Sequence, residues 1–274
     1  VLAHALVSAP SSSPGAEPKP WIALLHGILG AGNNLRSIAK AVVEKRPAWD
    51  AVLVDLRLHG LSQDVAPPHD LVACARDLHE LATHLAPPAR AVLGHSFGGK
   101  VAIEWARIEP SLERVIIVDS SPSARPDARG SESTRRVVDL LARLPAWIES
   151  RQQFVDLVMA EGHSRDVANW LALNVKAQRD GSFAFVLDVP AITKMLDDYF
   201  LRDSWDVMTK STARFDFVVG GRSTVVDESD RARLRALEAE TSGRVKLHLI
   251  EDAGHWVHVD AAAELVRITS EALG

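Results

Sequence analysis

Ser96 lies at the centre of Gly94-His95-Ser96-Phe97-Gly98. A serine hydroxyl becomes a nucleophile when a base takes its proton and a third group holds that base in one tautomer. The apolar run Ala91-Val92-Leu93 precedes the pentapeptide and a helix-like stretch, Lys100 to Ile108, follows it. At such a strand-to-helix corner the two elements press together too closely for a Cβ, so glycine is wanted two residues before and two after the serine. The segment reads as a nucleophile elbow. The candidate base is His255, in Ala253-Gly254-His255-Trp256, on a loop between the strand-like Val245 to Ile250 and a terminal helix. His258 is its nearest rival, three residues on and without a preceding glycine to let the loop bend.

Attack on a carbonyl also needs backbone N–H groups aimed at the developing oxyanion. The amide of Phe97, next to the nucleophile, supplies one. The segment His26-Gly27-Ile28-Leu29-Gly30, directly after the apolar Trp21 to Leu25, suits the other, with Ile28 as the donor and Leu29 as the fallback. Leu29 and Trp256 are candidates for substrate contact as well. Arg57, His59 and Ser62 form a polar cluster that reads first as a hydrogen-bonded turn supporting its neighbours. Trp105, Trp147, Trp170, Trp205 and Trp256 read as packing anchors. Those in the 121–212 region, with Phe183, Phe185 and Tyr199, are candidates for lining an acyl pocket.

These residues need a scaffold that brings distant loops to one edge. Val1 to Ser8 can form a first edge strand, ended by the Ser/Pro/Gly-rich Ser11 to Pro20. Trp21 to Leu25, Ala51 to Asp55, Arg90 to Leu93 and Glu113 to Asp119 are continuous apolar runs, as expected of strands buried on both faces of a parallel sheet. Helical patterns separate them: Leu35 to Val43, Asp70 to Leu85 and Phe97 to Ile108. This alternation predicts an α/β fold with a doubly wound, mostly parallel sheet. From Ser120 to about Thr212 no strong strand pattern is present, and helical patterns follow one another around Val137 to Leu144, Trp147 to Met159 and Ser164 to Lys176. Alternation resumes with Arg214 to Val219, Ser229 to Glu240, Val245 to Ile250 and Ala261 to Ala272. The expected organisation is a core of residues 1–120 and 213–274, with a helical cap insertion of residues 121–212 over the carboxyl ends of the strands, where open α/β sheets bind ligands. An independent helical domain is the alternative.

Composition narrows the function classes. The 274 residues are 47% hydrophobic and 24% charged, with a net charge of −5 and scattered basic residues, which argues against nucleic acid as a partner. Cys74, the only cysteine, excludes an intrachain disulfide and a cysteine-built metal site. It falls on the apolar side of the Asp70 to Leu85 helix and reads as a small buried hydrophobe. No apolar run approaches the 18 or so residues of a membrane span. A soluble chain with the cytoplasm as default address is expected, although the chain does not begin with Met and an upstream targeting segment stays open.

On these motifs, His26-Gly27 early, Gly94 to Lys100 at the elbow and Gly254-His255-Trp256 late, the chain resembles the α/β-hydrolase fold superfamily over nearly its whole length. Asp55-Leu56-Arg57-Leu58-His59-Gly60-Leu61-Ser62, Gly99-Lys100 and His255-Trp256-Val257-His258 make it most similar to the small cap-bearing serine esterases of the YbfF type and their mitochondrial relatives. The family's order is Ser, acid, His. Most members carry the acid in a turn after the strand that here is Arg214 to Val219, but this chain has Gly220-Gly221-Arg222-Ser223, with Ser223 where the carboxylate is expected. The resemblance to the closer esterases implies Asp119 instead, in Val118-Asp119-Ser120-Ser121-Pro122. Asp227 is the alternative acid, with Asp252 and Asp216 behind it.

The resemblance implies hydrolysis of a small-molecule carboxylic ester through an acyl-enzyme on Ser96, with no metal and no organic cofactor. Thioesterase or amidase activity, acyl transfer and cofactor-free haloperoxidase activity use the same triad and stay open, as does a non-catalytic binding protein on the same fold. A serine at the elbow argues against dehalogenase and epoxide hydrolase chemistry, which needs an aspartate there. Gly94 to Lys100 also satisfies G-x-x-x-x-G-K, but Val101 replaces the hydroxyl residue of a phosphate loop. Gly162-His163-Ser164 copies the start of the elbow, yet Asp166 takes the place of the second glycine and no strand precedes it.

Overall fold

The computed structural model describes residues 1–9, 18–145 and 147–274. Most of the Ser/Pro/Gly-rich Ser11 to Pro20 segment lies outside the described residues. Seven strands form one sheet in the order β1 (His4–Val7), β3 (Asp50–Val54), β2 (Trp21–Leu25), β4 (Ala89–His95), β5 (Arg114–Val118), β8 (Arg214–Gly220) and β9 (Val245–Ile250). All neighbouring pairs are parallel except β1 with β3, so the first strand closes one edge in the antiparallel sense.

The continuous apolar runs are explained by burial on both faces. Ala23, Leu25, Val52, Val92, Val115, Ile117 and Phe217 point into a layer beneath α2 (Leu71–His84) and α3 (Phe97–Ile108). Ile22, Leu24, Leu53, Ala91, Leu93, Ile116 and Val218 alternate with them and point at α1 (Arg36–Lys45) and α11 (Ala262–Ala272). Asp70 caps α2 by accepting the Ala73 N–H at 2.7 Å, which starts that helix one residue after the sequence pattern suggests. Cys74 is fully buried there, and burial pushes its thiol pKa up, as befits a packing residue.

Between β5 and β8 the chain forms α4 (Glu132–Leu141), α5 (Arg151–Ala160), α6 (Arg165–Leu171), α7 (Val189–Leu201) and α8 (Trp205–Lys210). It also contains a feature absent from the sequence reading, an antiparallel pair of β6 (Val175–Ala177) and β7 (Phe183–Phe185). Strands of three residues are too short to establish a period of two, so Val175 and Lys176 read from sequence as the end of a helix. The insertion's apolar residues, Val137, Phe154, Leu171, Ile192 and Met195 among them, are continuous with the layer that holds α2 and α3. Both ends of the insertion return to one buried cation. Lys100, 1% exposed in α3, donates from Nζ to the carbonyls of Ser123, Tyr199 and Arg202 at 2.8, 2.9 and 3.0 Å. The remaining helices are α9 (Glu228–Glu240) and the single turn α10 (Val257–Asp260), which makes the terminal helix begin later than its apolar pattern. No helix among the described residues is long and apolar enough to cross a membrane.

Candidate active site

Four loops converge at the carboxyl ends of β2, β4, β5 and β9. Ser96 occupies the corner between β4 and α3 with φ 53° and ψ −119°, a left-handed conformation that a non-glycine residue adopts only when its surroundings impose it. The imposition is visible at Gly98. A Cβ there would lie 2.6 Å from the carbonyl oxygens of both Leu25 and His26, so the helix can approach β2 only with glycine at that place.

Asp119 follows β5 directly and is fully buried, also with a positive φ of 47°. Its Oδ1 accepts the Gly220 N–H at 3.1 Å. Its Oδ2 accepts from Ser223 Oγ at 2.5 Å and from His255 Nδ1 at 2.7 Å. The last bond fixes the His255 tautomer with Nε2 free of its proton. His255 keeps 28% of its side chain exposed, and with Ser96 it lines a single cleft. The His255 carbonyl accepts from His95 Nε2 at 2.9 Å, so the residue before Ser96 holds the loop that carries His255.

The other candidate acids are engaged elsewhere. Asp227, the alternative acid, caps α9 by accepting the Asp230 N–H at 3.0 Å and pairs with Arg125 Nη1 at 2.5 Å. That hydrogen bond to the guanidinium holds its carboxyl below the usual range. Asp216 accepts from His248 Nε2 at 2.8 Å. Asp252 is exposed, and its carbonyl accepts from Arg222. Among these carboxylates, the one that His255 meets is Asp119. Ser223, at the position expected of a carboxylate, serves Asp119 as a donor. The rival histidine, His258, packs edge-on against His95 with ring centroids 4.6 Å apart, and burial lowers its pKa to about 4.

Opposite the elbow, the His26 to Gly30 loop is held by two buried histidines. His26 donates from Nδ1 to the Gly27 carbonyl at 2.7 Å and accepts the Leu56 N–H on Nε2 at 3.1 Å. His59 donates from Nδ1 to the Arg57 carbonyl at 2.8 Å and accepts the Leu29 N–H on Nε2 at 2.9 Å. Both imidazoles are therefore neutral, and desolvation lowers their pKa values to about 4 for His26 and about 3 for His59. The Leu29 amide is thus occupied, whereas the Ile28 N–H meets no acceptor among the described residues. The Phe97 amide is at the first position of α3, where a helix leaves its N–H without an internal partner. A Cβ on Gly27 would lie 3.5 Å from Ser96 Cβ, which sets this loop against the elbow.

The Arg57, His59 and Ser62 cluster supports loops, as expected. Arg57 forms a two-pronged pair with Asp77 at 2.7 and 2.9 Å, and Ser62 Oγ accepts the Ala3 N–H at 2.8 Å. Lys100, spent on three carbonyls, leaves no cation at the elbow for a phosphate.

The cleft encloses about 120 Å³. Ile28, Leu29, Leu35 and Trp256 form its core side; Ser133, Thr134, Val137, His163, Val167 and Trp170 come from the insertion. Trp170 stands edge-on to Trp256 with centroids 5.0 Å apart. Leu29 and Trp256 thus line the cleft, as does Trp170, but five aromatic candidates, Phe183, Phe185, Tyr199, Trp147 and Trp205, do not. Phe185 stacks on Phe154 at 5.8 Å, Phe183 pairs through its backbone with Ile148, and Tyr199 packs on Phe97 and under the Lys100 ammonium. Trp147 is 63% exposed. The insertion's contributions from Ser133, Thr134, Val137 and His163 were not singled out from the sequence. Ser164, in the copy of the elbow motif, caps α6 through Val167 N–H at 3.3 Å, while its neighbour His163 reaches the cleft.

The sequence model of the Alpha/beta hydrolase family matches residues 22–268. Among curated proteins, the Escherichia coli Esterase YbfF is 27% identical over 251 residues, covering 90% of this chain and 90% of its own. The mouse sn-1-specific diacylglycerol lipase ABHD11 is 29% identical over 254 residues, covering 88% of this chain and 76% of its own. Among solved structures, a marine microorganism esterase superposes with a TM-score of 0.82 at 20% identity, covering 98% of each chain, a likeness of fold. With a seven-stranded sheet, a serine at its strained corner and a match along nearly its whole length, this chain belongs to the alpha/beta hydrolase family, among relatives named esterases and lipases.

Proposed function

We propose that this chain is a serine esterase that cleaves short-chain carboxylic esters through an acyl-enzyme on Ser96. The observation that carries the reading is the 2.7 Å bond from His255 Nδ1 to buried Asp119, made beside a cleft that Ser96 also lines. His255 Nε2 takes the Ser96 proton as Oγ attacks the ester carbonyl. The negative charge on the former carbonyl oxygen is met by the N–H groups of Phe97 and Ile28, a contribution worth several kcal/mol in comparable sites. The tetrahedral intermediate collapses with breakage of the bond to the alcohol oxygen, which leaves with the proton from His255. Water then gives a proton to the same nitrogen and attacks the acyl carbonyl; the acyl–Oγ bond breaks, His255 returns that proton to Ser96 Oγ, and the acid is released. Asp119 orients the imidazole and stabilises its cationic form.

In this reading residues 121–212 are the cap that walls the acyl side of the cleft, and residues 1–120 and 213–274 are the catalytic core. The test is labelling by a fluorophosphonate followed by peptide mapping. Modification at Ser96, with loss of p-nitrophenyl butyrate turnover and no labelling of Ser96→Ala, is the expected result. Turnover retained by a folded Ser96→Ala variant rejects the reading.

A further inference from the structure

The cleft beside Ser96 is lined without a single Asp, Glu, Lys or Arg among the described residues. Its ionisable members are histidines. Burial keeps His26, His95 and His258 uncharged in the neutral range, His255 works from its neutral form, and His163 stands on the insertion side. Lys100, in the helix that follows Ser96, is engaged by the carbonyls of Ser123, Tyr199 and Arg202 and does not line the cleft. The N–H groups of Ile28 and Phe97, which meet no acceptor among the described residues, are in the proposed mechanism taken up by the oxyanion.

We infer that the site selects esters whose acyl portion is uncharged and discriminates against those bearing a carboxylate. A carboxylate brought into this cleft loses much of its water and meets only neutral donors, such as the hydroxyls of Ser133 and Thr134, with no cation to compensate its charge, which is costly for a buried charge. It would also stand in a poorly screened space close to the oxyanion that forms in the transition state, so repulsion adds to desolvation just where catalysis requires stabilisation. Branched aliphatic acyl groups meet instead the apolar walls of Ile28, Leu29, Val137 and Val167, between the two tryptophans.

The inference rests on the esterase reading, and one pair of substrates separates the two. Ethyl 4-methylpentanoate and monoethyl succinate match in chain length and end-group shape, differing in an isopropyl or a carboxylate terminus. At pH 8, where an ordinary imidazole is neutral, pH-stat titration should give kcat/KM at least tenfold higher for the uncharged ester. Thr134→Arg, which introduces a guanidinium on the half-buried rim of the cleft, should narrow that ratio several-fold. A ratio below tenfold in the wild type, or an unchanged ratio in a folded Thr134→Arg variant, overturns the inference and leaves ester hydrolysis standing. Turnover of neither ester, with no fluorophosphonate labelling at Ser96, overturns both.

Discussion

Ser223 and His255 share one acceptor: Oδ2 of Asp119 receives the serine hydroxyl at 2.5 Å and the imidazole Nδ1–H at 2.7 Å. Loss of the hydroxyl leaves Oδ2 with one donor fewer to hold the carboxylate in place beside the imidazole. Ser223→Ala is expected to lower kcat/KM about three- to tenfold, as for loss of a hydrogen bond to a charged group. An unchanged kcat/KM would assign Ser223 to packing alone.

The two carboxylates can be ranked by substitution. Asp119→Asn removes the acceptor that fixes the His255 tautomer, and a loss of roughly 10³ to 10⁴ in kcat is expected from comparable triads. Asp227→Asn breaks the pair with Arg125 yet retains a helix-capping side chain, so a lower melting temperature with kcat within about threefold is expected. A greater kcat loss at Asp227 reverses the ranking.

Acid should erode the stability that the two neutral histidines lend to the His26 to Gly30 loop. His26 and His59 titrate at about 4 and about 3 in the folded chain, against 6.5 for the model imidazole. Because the folded values are the lower ones, the stability these groups contribute is complete above pH 6.5 and declines as pH falls from 6.5 toward 4. Calorimetry between pH 8 and 4 should show the melting temperature falling across that window. His59→Gln should have a shallower fall; an equal slope would remove His59 from the account.

Lys100 offers a prediction about the cap. Burial draws its pKa from 10.5 to about 7, yet all three hydrogen-bond partners of Nζ are carbonyl acceptors that favour the ammonium. Lys100→Met leaves those carbonyls unpaired and should cost on the order of a few kcal/mol, seen as a melting temperature lower by several degrees. Since Lys100 does not line the cleft, kcat should fall less than for Asp119→Asn. Unaltered melting would show that the three contacts are dispensable.

Much of this arrangement was legible in the chain because it is written in local terms. The double-sided burial of β2 and β4 appears as unbroken apolar runs, and the Ser96 corner as glycines at fixed offsets. The tie between His255 and Asp119 spans 136 residues and has no local signature; resemblance pointed to Asp119, and the hydrogen bond distinguishes it from Asp227. The insertion between β5 and β8 was legible as an interruption of the alternation, but the residues it brings to the cleft were not. Which faces of α4 and α6 turn to the cleft depends on packing against the core, so Thr134 and His163 carried no signal while Phe183 and Phe185 misled. Aromatic character announces burial and says nothing about which cavity is filled.

The three carbonyls gathered on Lys100 make the insertion a ring closed at its root. Ser123 and Arg202 are far apart in sequence, yet both are anchored to one side chain on the helix that begins after Ser96. A loop whose ends are already pinned has met most of its closure cost there, and that cost grows only slowly with further length. The length of the span between the anchors therefore adds little to its closure cost, and what constrains its sequence is packing against α2 and α3, while Ser96, Asp119 and His255 are carried by elements outside it.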